Sequence, residues 1–94
     1  MKIIKLDFDE SINGLAGYKL GQKVFNKQIK KYLDYNTINK IIFPKNIERV
    51  SISFIQGFSK KIVDIIGKSN VDKYIIIESN SEYLTNKILY NMKF

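Results

Sequence analysis

The sequence predicts one small α/β domain over residues 1–94, in β-α-β-α-β-α order, with a mostly parallel central sheet and helices packed on it. Two observations carry that expectation. The short apolar run in NKIIF (Asn39–Phe43) and the continuous run Tyr74–Ile77 are too short for helices, which is how strands buried in parallel sheets read. Each is followed by a longer stretch with apolar residues three and four apart, the period of a helix with one buried face. Right-handed crossovers then bring successive strands into one sheet.

The first strand is expected within MKIIKLDF, where Ile4, Leu6 and Phe8 alternate with Lys5 and Asp7, as at a half-buried sheet edge. An edge strand there could also pair with a second chain as a homodimer. Turn chemistry in DESING ends it. Gly14, Gly17 and Gly21 lead into a helix from Tyr18 to Tyr32. One reading of these glycines is a phosphate-cradling loop at a helix start, for a nucleotide. The plainer reading is that Gly17 and Gly21, one turn apart, let the helix sit close to a sheet. The helix carries an apolar stripe of Leu20, Val24, Phe25, Ile29, Tyr32 and Leu33. Its opposite side bears Lys19, Lys23, Lys27, Lys30 and Lys31. DYNTIN is the exit loop.

Asn39–Phe43 is the expected central strand, ended by Pro44. Ile47 and Val50 should still point inward. Ser53 is well placed to cap the next helix, with Ser51 as the competing cap. That helix shows Phe54, Ile55, Phe58, Ile62, Val63, Ile65 and Ile66 on a wide apolar face. Gln56, Ser59, Lys60, Lys61 and Asp64 make its polar side. Gly67 should stop it. Gly57 costs a helix interior up to about 1 kcal/mol, so something should pack closely there. A further strand is expected over Asp72–Ser79. Asn80 or Ser81 then caps a last helix with Tyr83, Leu84, Ile88 and Met92 inward, joined by Tyr90 and Phe94.

Composition narrows function. The chain has no cysteine and no histidine. Disulfides, thiol chemistry, the commonest general base and the usual zinc ligands are therefore missing. Asp7, Asp9, Glu48 and Glu78 form no recognisable catalytic pair. The expectation is a protein that is not an enzyme and needs no cofactor or metal. No apolar run spans a membrane and no signal-peptide core is present, so a cytoplasmic protein is expected. The net charge of +7 suits nucleic acid or an acidic partner surface, with the helix-one lysines as the contacting face. Tyr32 and Tyr35 are candidate stacking groups. The only arginine is Arg49, so bidentate phosphate or base recognition is poorly supplied.

At FPKNIERVSISFI the chain resembles the STAS domain (sulfate transporter and anti-anti-sigma factor), and more closely the short bacterial STAS-like domains. There a central strand leads into an acidic residue, two hydroxyl or small residues, a glycine and a leucine, where a helix begins. Here Ile47 takes the family's apolar place and Ser51 the acidic one. Ile52 and Ser53 stand at the hydroxyl positions, Phe54 at the glycine and Ile55 at the leucine. The STAS-like subgroup tends to have a Ser-Phe pair, as at Ser53–Phe54, and a glycine motif before helix one, as at Gly17 and Gly21. The resemblance covers residues 14–90. It implies a regulatory module that binds a protein partner, an ATP-binding kinase-like protein, through Ser51, Ser53, Phe54, Gln56 and Lys60. It also implies a phosphoserine switch at Ser53, with Ser51 as the alternative acceptor. The chain departs from the pattern in lacking the acidic neighbour and in placing Phe54 where a glycine leaves room for the kinase. The competing expectations are a nucleic-acid-associated protein or a phage- or mobile-element-encoded inhibitor, acting through the lysine stripe.

Overall fold

The computed structural model describes all residues, 1–94, and is a mixed α/β domain. Its main sheet is formed by β1 (Lys2–Lys5), β3 (Asn39–Ile42) and β5 (Ile75–Glu78), in that spatial order and all parallel. β3 is central, as its apolar run predicts. The sheet order follows the chain order, so both crossovers step the same way. Crossovers of one hand then leave their helices on one face. Burial agrees: Ile4, Ile41, Ile75 and Ile77 are in the core, while Ile3 and Ile76 are exposed.

A second, two-stranded parallel element was not legible in the sequence. β2 (Gly14–Leu15) pairs with β4 (Arg49–Val50). It forms because the loop after β1 folds back on the segment after β3. The Asn13 carbonyl accepts from the Glu48 and Arg49 amides, and the Leu15 carbonyl accepts from Ser51. The Asn46 side-chain amide donates to the Ile12 carbonyl at 2.7 Å and ties the same two segments.

α1 covers Tyr18–Val24 and continues as one π-helical turn, Phe25–Ile29. The expected single α-helix to Tyr32 is thus corrected. Widening at this turn accompanies an anchor: Gln28 accepts from the Asp7 amide at 2.7 Å and donates to the Asp7 carbonyl at 2.9 Å. Val24, Phe25 and Ile29 remain inward, but Leu20 and Tyr32 are exposed and leave the expected stripe. Asn39 closes the following loop from inside. Its fully buried side-chain amide accepts from the Asp34 amide and donates to the Asp34 and Thr37 carbonyls.

α2 (Ile52–Ile66) lies between α1 and α4 (Glu82–Met92). It buries Phe54, Ile55, Phe58 and Ile62; Phe58 meets Phe43 edge-on at 5.8 Å and stacks on Phe54 at 6.0 Å. Ser59 is buried, against the expectation of a polar side, and Ile65 is exposed, against the expectation of an apolar one. Gly67, with φ of +83°, ends the helix and accepts no side chain without strain. The strand expected from Asp72 is shorter. Residues Lys68–Asn70 form a 3₁₀ turn and Val71–Tyr74 a short helix, α3, before β5 begins at Ile75. Asn70 holds that turn by donating to the Ile66 carbonyl, and Asp72 pairs with Lys93 at 2.7 Å. In α4, Leu84, Ile88 and Met92 are inward. Tyr83, Tyr90 and Phe94 are exposed, contrary to their expected place on the apolar side; Tyr90 and Phe94 pack on each other instead.

The glycines of α1 and α2 set how near the two helices come. A Cβ on Gly21 would overlap the Phe54 carbonyl oxygen and lie 2.6 Å from the Phe58 amide nitrogen. A Cβ on Gly57 would overlap the Tyr18 carbonyl oxygen. Gly21 therefore serves a helix–helix crossing rather than close packing on the sheet, and Gly57 meets the expected close neighbour. No helix is long and apolar enough to cross a membrane.

Because backbone atoms, not flexible side chains, block both positions, Gly21→Ala and Gly57→Ala should each destabilise the fold by about 2–4 kcal/mol. Urea unfolding followed by circular dichroism checks this. Gly14→Ala, where the nearest atoms are ordinary contacts of the Arg49 side chain at 3.5 Å, is the control and should cost far less.

Candidate functional site

The residues singled out in the sequence meet at the first turns of α2. Ser51 is the N-cap. Its backbone is extended (φ −73°, ψ 155°), and its hydroxyl oxygen accepts from the Phe54 amide at 3.1 Å. The same oxygen accepts from the Gly17 amide at 3.3 Å. Ser51 thus joins the start of α1 to the start of α2. With both lone pairs engaged, its O–H is left to donate to the Ser53 oxygen, 3.1 Å away. The cap expected at Ser53 belongs to Ser51, because the helix begins one residue before Ser53.

Ser53 stands in the first turn, exposed, its own hydroxyl proton free to face solvent. Phe54 is fully buried in the phenylalanine stack and is removed from the candidate partner surface. Ile52, which the family resemblance places at a hydroxyl position, is 49% exposed beside Ser53. Gln56 and Lys60 follow Ser53 at helical spacing and are also exposed. Lys60 is held by Asp64, its ammonium 2.9 Å and 3.0 Å from the two carboxylate oxygens. The hydrogen bond Lys60 donates to Asp64, aided by the carboxylate's charge, raises the Lys60 pKa above its ordinary value. Gln56 and Lys60 border a groove of about 310 Å³ that also touches Tyr18, Asn91 and Phe94.

A larger open cleft, about 780 Å³, lies on the other side of the junction, between the β2–β4 ladder and α4. Ser51 lines it with Asn13, Glu48, Arg49, Tyr83 and Lys87. Arg49 is oriented there by donating to the Asn13 side-chain oxygen at 3.0 Å. The sequence left this cleft unread because β2 and β4 are two residues each and carry no periodic signal. The lone arginine was its only trace. No carboxylate or lysine hydrogen-bonds Ser51 or Ser53. No group of three or more acidic side chains is placed to hold a metal ion.

The glycine loop is committed to structure. The Gly17 amide is taken by Ser51, and the Gly21 amide by the Gly17 carbonyl. These two donors are lost to any phosphate cradle. Gly17 itself sits at φ +99°, a conformation L side chains rarely adopt. Lys19 and Lys23 on α1, Lys27 on its π-helical turn, and Lys30 and Lys31 just beyond it are all exposed, and none forms an ion pair. Asp9, at the opening of the loop before β2, is held below the usual carboxylate range, first by the Ser11 amide and then by the Ser11 hydroxyl.

No family model matches the chain, and neither a curated protein nor a solved structure matches it. The fold and the α2 junction therefore carry the functional argument.

Removing the Ser51 hydroxyl deletes a cap and strands the Gly17 amide. Ser51→Ala should lose about 1–2 kcal/mol in equilibrium unfolding. Ser53→Ala, at an exposed position that does not cap, should stay within about 0.5 kcal/mol of wild type.

Proposed function

We propose that the chain is a non-enzymatic, cytoplasmic, STAS-like regulatory module. It binds a protein partner through the first turns of α2, and phosphorylation of Ser53 switches that binding. One observation carries this reading. Ser51 does the capping, so Ser53 is exposed at the start of a 15-residue helix, its hydroxyl in contact only with that of Ser51. The amides of Ile52 and Ser53 have no intrahelical acceptor, and the positive end of the helix dipole lies there. A phosphate on Ser53 is tolerated by the fold, yet adds close to two negative charges beside Ile52.

Ile52 replaces Phe54 as the apolar anchor of the partner surface. With Ser53, Gln56 and Lys60 it forms one continuous strip along α2. The kinase-like partner suggested by the family resemblance would have to approach this strip without the acidic residue and the glycine that the family supplies. Room comes instead from the inward turn of Phe54, which leaves no bulky side chain between Ser53 and solvent. The lysine stripe supports a second reading, nucleic-acid binding, because all five of its charges are exposed and unpaired.

Affinity capture with the purified chain separates the readings. Ile52→Asp and Ser53→Glu should each weaken capture of the partner at least about tenfold while the far-ultraviolet spectrum stays unchanged. Equal capture by both folded variants would refute the α2 interface. If nucleic acid is the ligand instead, Lys23→Glu with Lys27→Glu should weaken binding and reduce its salt dependence, and the α2 variants should bind normally.

A further inference from the structure

The main sheet is covered on one face only. The other face presents two cross-strand rows, Ile3–Lys40–Ile76 and Lys5–Ile42–Glu78. Ile3 is 57% exposed and Ile76 37% exposed. Ile38, one residue before β3, continues the apolar surface in line with Lys40 and Ile42. All-parallel sheets occur almost only with both faces covered. Within the chain nothing lies over this one.

We propose that the open face packs against the same face of a second copy, about a two-fold axis running along β3. Rotation about that axis lays β1 over the second copy's β5 and β3 over its β3. Row by row, Ile3 then meets Ile76 of the other copy, Ile42 meets Ile42, and Lys5 meets Glu78. The face is complementary to itself because Lys5 and Glu78 stand at opposite ends of one row, on the two strands that the axis exchanges. A two-fold axis across the strands does the reverse. It sets Ile3 over Lys5, Lys40 over Ile42 and Ile76 over Glu78, placing a charged side chain on every apolar one. The chain therefore selects one orientation. The Lys40 side chains meet at the centre, but each is drawn aside by its own Glu78, whose carboxylate lies 2.9 Å from the ammonium.

The face is small. Each strand is four residues long, and three strands about 4.8 Å apart give roughly 200 Å² in projection. A standard stable complex buries about 800 Å² per partner. The dimer is accordingly weak and concentration-dependent. The assembly is independent of the α2 strip, since α2 lies on the opposite side of the sheet.

Sedimentation equilibrium of the wild-type chain from about 10 µM to about 1 mM should show a monomer–dimer equilibrium within that range. Ile3→Glu, at an exposed position, should raise the dissociation constant at least about tenfold. Lys5→Glu and Glu78→Lys each place like charges opposite one another twice per dimer, so each alone should be monomeric. Mixed in equal amounts they restore both opposite-charge contacts, and the mixture should dimerise. A monomeric wild type at the highest concentration overturns the proposal and assigns the face to a different occupant. So does a dimer indifferent to Ile3→Glu, or a mixture that stays monomeric while both variants are folded.

Discussion

The contact between two helix backbones at Gly21 and Gly57 is the constraint on which the remaining structure depends. Each glycine faces a carbonyl oxygen of the other helix, Gly21 that of Phe54 and Gly57 that of Tyr18. Neither helix can retreat without opening a void beneath Phe54 and Phe58, and neither can approach further. The separation of α1 and α2 is thus set by main-chain atoms, which do not repack as side chains do. This closeness also brings Gly17 within reach of the Ser51 hydroxyl at 3.3 Å. The capped start of α2, and with it the orientation of Ser53, is a consequence of the crossing.

Much of this was legible in the sequence. The two short apolar runs located β3 and β5, and three-and-four spacing located the helices. Gly57 announced a close neighbour because nothing else justifies glycine inside an amphipathic helix. What was not legible depended on contacts distant in sequence. The short helix α3 takes the place of expected strand because Val71 turns into the core there and Asp72 pairs with Lys93, twenty-one residues away. The two-residue ladder of β2 and β4 has no period to read.

The start of α2 was legible in the sequence to within a residue, but which of the two serines caps it was not. Whichever serine caps, Phe54 falls one turn before Phe58 and two before Ile62, on the buried side. The positions were in the sequence. The deciding fact, an amide of Gly17 drawing Ser51 into place, was not. The same hydroxyl therefore serves three partners, the Phe54 amide, the Gly17 amide and the Ser53 oxygen, and divides the two serines between structure and surface.

The Gln28 side chain has a consequence for how the chain behaves in a crowded solution. The amides of Lys2 and Leu6 point from β1 toward β3, so alternation turns the backbone groups of Ile3, Lys5 and Asp7 outward. Those of Asp7 are both occupied by the Gln28 amide. At the β1 edge the unsatisfied template is cut to Ile3 and Lys5, and one of those is a lysine. A chain whose strands read KIIK, NKII and IIIE carries material for fibrous stacking. One glutamine, sitting on a widened helical turn, acts as a false strand at the end of the β1 edge and shortens what that edge offers to another strand.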